Sequence, residues 1–209
     1  MNKDALLKCI AETGYNVGFG GRKHWATYDI VDKVPGFIGF FSTAMGVFAL
    51  VYDSLSAKDI SAALVVLGVI GLYISFYDSK KGDYEKAAKS ITRNFNSLRD
   101  LYRSVQNNQD DSKNEEYYQQ LMTIESEYYS NSISKQILFS DWYAHYKFFW
   151  QYQIDWVEEQ KKFKLCRDKI PLTGWIALAL IIGIYGCYLL GKVDVIYSCY
   201  TLFTTPPAN

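Results

Sequence analysis

Residues able to do chemistry are few and scattered in this 209-residue sequence. The run Gly14-Tyr15-Asn16-Val17-Gly18-Phe19-Gly20-Gly21 is of the kind whose bare backbone N–H groups can cradle a phosphate. It lacks the Lys-Ser/Thr pair that a Walker loop needs, and no predicted strand precedes it. It reads instead as a flexible turn joining two N-terminal helices. The only histidines are His24 and His145. His145 lies four residues after Asp141, which puts the two on one helix face as a hydrogen-bonded pair. One imidazole and one carboxylate are too few for a metal site or a nucleophilic triad. Cys9, Cys166, Cys187 and Cys199 form no C-x-x-C pair, so no zinc or disulfide framework is expected, and Cys9 and Cys166 read as ordinary reduced thiols. Glu115-Glu116 and Glu158-Glu159 read as solvated faces. No catalytic, metal or cofactor-binding residue is assigned, and the chain is not read as an enzyme.

The elements around these residues say more. Val34 to Tyr52 and Ile60 to Tyr77 carry no charged side chain, and neither does the longer stretch Ile170 to Gly191. At about 1.5 Å rise per residue each block roughly spans a ~30 Å hydrocarbon layer. The linker Asp53–Asp59 is short enough to force the first two into an antiparallel hairpin. With the N-terminus inside, every one of the 22 cations except Lys58 and Lys192 falls on the cytoplasmic side, as the positive-inside rule demands. Met1 to Glu12 contains Asp4 and Glu12 and has no apolar core of a secretory signal, so it is expected to remain in place. Aromatics make up 17% of the chain, and Tyr52, Tyr77, Trp175 and Tyr188 sit near block ends, where interfacial belts form. The fold class is therefore an all-α membrane protein. Its divisions are N-terminal cytoplasmic amphipathic helices (1–33), a transmembrane hairpin (34–77), a cytoplasmic helical bundle (78–169), a third transmembrane helix (170–191) and an extracytoplasmic tail (192–209). The expected location is the bacterial inner membrane, multi-pass, with the N-terminus in the cytoplasm.

Small residues recur within the blocks at three- and four-residue steps: Gly36, Gly39, Thr43 and Gly46, then Gly68, Gly71 and Ser75, then Ala179, Gly183 and Gly186. Such rows let helix backbones approach closely, either within one protomer or between copies in a homo-oligomer. No charge lies inside the blocks, which argues against a proton relay or a selective ion path. In the polar segment Tyr84, Ala88, Ile91, Phe95, Leu98, Tyr102 and Val105 step four-three, the spacing of a coiled-coil or bundle helix. Asn107–Lys113 is a polar break, and Tyr117, Leu121, Ile124 and Tyr128 restart the period. Trp142, Tyr146, Phe149, Gln153 and Trp156 continue it in a helix running toward Pro171, as core or as an oligomer interface. Acidic and basic side chains balance over 78–169, so no nucleic-acid binding is expected.

Two stretches carry a family resemblance: Thr13-Gly14-Tyr15-Asn16-Val17-Gly18-Phe19-Gly20-Gly21-Arg22-Lys23-His24 before the hairpin, and Asp141-Trp142-Tyr143-Ala144-His145-Tyr146-Lys147-Phe148-Phe149-Trp150 after it. With the architecture, they resemble the SLATT group, bacterial two-transmembrane effectors associated with nucleotide-second-messenger and SLOG sensor systems. The likeness covers most of residues 1–170, and the third apolar block departs from the two-span pattern. It implies a pore-forming effector of antiphage defence, acting on the lipid bilayer after a sensor protein or nucleotide second messenger signals. The rival hypothesis is a membrane-anchored scaffold that holds a cytoplasmic partner without opening the membrane.

Overall fold

The computed structural model describes residues 1–52, 58–152 and 154–192. Among these, every regular element is helical. The chain divides into two units, Met1–Lys162 and Phe163–Asn209.

The first unit is organised by one very long helix, α1 (Lys3–Ala49). Its start is set by Asn2, whose side-chain oxygen accepts from the Ala5 N–H at 2.9 Å, and by Asp4, which favours the positive end of the helix dipole. At 47 residues it is about 70 Å long, enough to serve both a soluble body and a membrane crossing. The sequence-based boundary between 33 and 34 therefore falls within a single element. Pro35 sits inside the helix and has no N–H to offer the Val31 carbonyl, so the ladder loses one bond where the apolar half begins.

α2 (Lys58–Ser75) returns along α1, and a short 3-10 turn (Asp78–Lys80) leads into α3 (Lys81–Asn107). Most of the expected hairpin linker, 53–57, lies outside the described residues. The four-three pattern of α3 holds throughout: Tyr84, Ala88, Ile91, Phe95, Leu98, Tyr102 and Val105 are all buried. They pack on α1 residues such as Leu6, Ile10 and Val17, which no solvent reaches. Asp110 caps a second 3-10 turn (Asp111–Lys113) through the Ser112 N–H at 3.0 Å, and α4 (Asn114–Asn131) follows. Then come α5 (Ser140–Trp150) and the four-residue α6 (Asp155–Glu158).

The glycine run is not a turn. Gly14, Gly18, Gly20 and Gly21 are buried within the uninterrupted α1. A Cβ on Gly18 would stand 2.6 Å from Phe95 Cε2 and 2.8 Å from Phe148 Cε2, while one on Gly14 would run into the Trp156 ring and one on Gly20 into Tyr128. Glycine in a helix interior costs up to ~1 kcal/mol relative to alanine. Here that loss is offset by aromatic rings lying directly on the α1 backbone.

The expected helix from Trp142 toward Pro171 is broken. It stops at Trp150 and resumes for one turn at Asp155; Gln153 lies outside the described residues. The buried residues of α5 are Ser140, Ala144, Phe148 and Phe149, so its inward face is displaced from the expected one. Trp142 and Tyr146 are exposed, whereas Phe149 and Trp156 are buried.

The second unit contains a π-helical turn (Leu165–Lys169) and α7 (Leu172–Lys192), preceded by Pro171. The Trp175 indole N–H donates to the Cys166 carbonyl at 2.9 Å and ties the first turn of α7 to that segment. The expected tail beyond 192, with Cys199, lies outside the described residues.

Candidate functional site, an apolar hairpin on a polar collar

The apolar half of α1 and the length of α2 present their side chains outward. Phe37, Phe40, Phe41, Phe48, Val65, Leu72 and Phe76 are all more than half exposed. In the most apolar 18-residue window of each helix only 6% and 11% of residues are buried. A core helix of a soluble protein would be mostly buried. These faces need an apolar solvent, and two helices of this length and composition can cross a bilayer.

The small-residue rows lie on this open surface. At Gly36, Gly39, Gly46 and Gly68 no atom lies within 4 Å of the place a Cβ would occupy, and Thr43 is exposed. Gly71 is the exception, with Ile38 Cδ1 at 3.9 Å. Ser75, exposed, donates to the Leu72 carbonyl at 2.7 Å, which satisfies its hydroxyl in the helix itself. On α7 Gly183 and Gly186 are likewise without neighbours at 4 Å.

Below the hairpin, charges form a collar. Asp29 accepts from Lys33 at 2.6 Å and from Lys147 of α5, while Asp32 pairs with Lys81 at 3.0 Å and Lys23 with Asp141 at 2.7 Å. Burial would raise the Asp29 carboxyl, but the hydrogen bonds and charges of Lys147 and Lys33 outweigh it and hold the carboxyl below its ordinary value. The Asp32–Lys81 pair joins α1 to α3, and the Asp29–Lys147 and Lys23–Asp141 pairs join α1 to α5; Asp29–Lys33 lies within α1.

Of the expected Asp141–His145 pair, Asp141 binds Lys23, and His145 packs its ring 4.7 Å from that of Phe149 and 6.2 Å from that of Phe19. His24 is buried on α1: its Nδ1 lies 2.7 Å from the Gly20 carbonyl, and its Nε2 accepts the Ile133 N–H at 2.9 Å. A carbonyl can only accept and a backbone N–H can only donate, so the ring is neutral with its proton on Nδ1. Burial is the main reason its pKa is lowered; the Gly20 bond opposes the shift and the Lys23 charge adds to it. His24 is therefore a positioning group for the 132–139 connection, not a ligand or a base. The same connection is held by Tyr84, whose hydroxyl donates to the Lys135 carbonyl, and by Thr27, which donates to Gln136 Oε1 at 2.5 Å.

A polar cleft of about 170 Å³ lies between α3 and α6, lined by Arg99, Tyr102, Arg103, Gln106, Asp155, Trp156 and Glu159. Glu159 accepts there from Tyr102 at 2.8 Å and from Gln106 at 3.2 Å. No nucleophile stands beside a base in it. Among the described residues no three His, Cys, Asp or Glu side chains cluster as a metal site.

The family profile described as SMODS and SLOG-associating 2TM effector domain 6 matches residues 1–178. This chain belongs to the SLATT family. No curated protein and no solved structure matches it. As a SLATT protein it is a two-transmembrane effector of conflict and defence systems. The matched region contains the whole hairpin and the whole helical body, and it ends within α7, so two crossings are accounted for by α1 and α2. The family is one of two-transmembrane effectors and not a known enzyme family.

Proposed function

We propose that this SLATT protein is a homo-oligomeric effector of the bacterial inner membrane, which permeabilises that membrane when a sensor protein or a nucleotide second messenger acts on its cytoplasmic body. The observation that carries the proposal is the contrast along α1. Its first half is buried against α3 and α5, and its second half leaves glycines and phenylalanines uncovered. One continuous element thus joins the part that can receive a signal to the part that can rearrange in lipid. The glycine rows support assembly between copies, because most of those positions have no neighbour within the protomer. Charge distribution supports a cytoplasmic N-terminus, and the apolar composition of α7 supports a further crossing in our reading.

The test is controlled overproduction in cells, followed by membrane-potential and dye-uptake measurements, with the protein's insertion checked by fractionation. Loss of potential together with dye uptake is the expected result. Inserted protein that leaves both unchanged, even with its cognate sensor or nucleotide synthase co-expressed, would refute the proposal and favour a membrane-anchored scaffold.

A further inference from the structure

Phe139 is the single non-glycine with a left-handed backbone among the described residues, at φ 66°. Side chains other than glycine avoid that region, because Cβ crowds the carbonyl, so the loop holding Phe139 there must be fixed by other contacts. It is fixed by four side chains from three helices. His24 and Thr27 of α1, Tyr84 of α3 and Tyr73 of α2 all bond to the 133–138 segment, the last by accepting the Leu138 N–H at 3.2 Å. The outcome of this bracing is unusual for a soluble surface. Leu138 and Phe139 point outward, 61% and 64% exposed, and Trp142 stacks edge-on against Phe139 with ring centroids 6.3 Å apart.

The position of the loop gives these side chains a partner. Tyr73 lies four residues, about 6 Å along the helix, inside the end of the uncharged block Ile60–Tyr77, so the loop is tied to a side chain of the block itself and not only to its polar end. Ile137, Leu138 and Phe139 form one wall of an apolar groove of about 280 Å³ whose other wall includes Val34, Ile70 and Ile74 of the hairpin. The groove is continuous with the lipid-facing surface. Two cations stand next to groove residues in the chain, as headgroup-level cations would: Lys33, more than half exposed, precedes Val34, and Lys135, with its ammonium 5.2 Å from the Tyr77 ring centroid, lies two residues before Ile137.

We propose that the Leu138, Phe139 and Trp142 side chains form a second, non-spanning membrane contact: they dip into the cytoplasmic leaflet beside the hairpin, with Asp141 held back at the collar by Lys23, and the groove against Ile70 and Ile74 takes lipid acyl chains. The inference rests on the hairpin lying in the bilayer. Loop and α1 then meet the membrane together, and a signal that moves α5 would also move a lipid-embedded wedge.

The experiment uses the full chain with its four cysteines changed to serine, reconstituted in bilayer nanodiscs. Spin labels are placed singly at Leu138→Cys, Phe139→Cys, Ile70→Cys and Glu116→Cys, and power saturation compares oxygen with a water-soluble nickel chelate. Labels at 138, 139 and 70 are expected to be oxygen-accessible, with 116 nickel-accessible. Nickel access at 138 and 139 with oxygen access at 70 overturns the loop contact and leaves the spanning hairpin intact. Nickel access at 70 as well overturns both. Labels at 138 and 139 shielded from both reagents mean that protein covers the patch and also overturn the proposal; dipolar broadening on full labelling would identify that protein as a second copy. Phe139→Gly separates anchoring from folding. It relieves the left-handed strain, so its Tm in detergent should be level or raised, while neighbouring labels at 138 lose oxygen access.

Discussion

Replacing Gly18 with alanine adds one methyl group where α1 meets two buried rings, and two opposing effects must be weighed. Alanine is the better helix former by about 0.8–1 kcal/mol, so an open site would gain stability. At Gly18 the new carbon would lie 2.6 Å and 2.8 Å from Phe95 atoms and 2.8 Å from Phe148. Ordinary carbon contacts are at about 3.5–4.0 Å, so each neighbour must retreat by about 0.7 Å or more. Neither ring has room. Phe95 is 2% exposed and packed between Tyr152 and Trp156, at 5.1 and 5.4 Å, while Phe148 is fully buried against Tyr15, Phe19 and Phe149. Overpacking should therefore approach the upper end of its usual range of about 1–3 kcal/mol. Subtracting the propensity gain leaves a net loss of about 2 kcal/mol. For a unit of this size that corresponds to a Tm lower by about 4–8 °C. Gly82→Ala is the matched control, since no atom lies within 4 Å of its added carbon, and it should hold or slightly raise Tm. The assay is thermal unfolding in detergent followed by tryptophan fluorescence and by circular dichroism. A Gly18→Ala protein that melts at or above the parent would refute the claim that these glycines are a close-packing seam.

The neutral His24 ring predicts an acid-sensitive connection. Its folded pKa is lowered, so its contribution is complete above the ordinary value of about 6.5 and is lost as pH falls below that toward the folded value. Melts at about pH 8 and pH 5.5, either side of that ordinary value, should differ in the parent, and His24→Ala should be less stable at the higher pH with a smaller difference between the two. Asp29 behaves as a carboxylate held down by Lys147 and Lys33, so its stabilisation is complete above about pH 4 and is lost as pH falls through the lowered folded value. Asp29→Asn should cost about 1–3 kcal/mol at neutral pH, by stranding the mostly buried Lys147 ammonium, and should flatten the acid limb of a denaturation profile. Gly39→Leu and Gly46→Leu should weaken cross-linked oligomers and membrane damage by about tenfold or more without preventing insertion, while Val47→Leu stays near the parent; unchanged assembly in both glycine variants would remove that row as the oligomer surface. An impermeant thiol reagent on cells without an outer-membrane barrier should label Cys199 and spare Cys9 and Cys166, and a protected Cys199 in inserted protein would leave the third block on the inner side.

The helical class and the α3 core are legible in the sequence because each follows from a local rule. An uncharged stretch near twenty residues needs only its length, and the α3 heptads need only their period. Legibility ends where the deciding partner is distant in sequence. The glycine run reads as a turn because glycine is intrinsically a poor helix former, yet Gly14, Gly18 and Gly21 step four and three, as the rows in the apolar blocks do. The rings that make those glycines useful, Phe95, Phe148 and Trp156, come from three other helices. The inward face of α5 is hidden for a related reason. In an aromatic stretch such as Trp142 to Trp150 almost any phase finds large side chains, so composition alone cannot select the inward one. What selects it is the fit of Ala144 and Phe148 against α1, which leaves Trp142 and Tyr146 exposed. The glycines and these aromatics are thus one feature seen from two sides. A narrow α1 backbone receives the rings that face inward, and of those displaced outward Trp142 meets Phe139 at the edge of the apolar groove. Any change that slides α5 along the glycine face must also shift Phe139 and Trp142 relative to α2. In this fold the packing of the helical body and the exposed apolar edge beside the hairpin are therefore coupled through the same short helix.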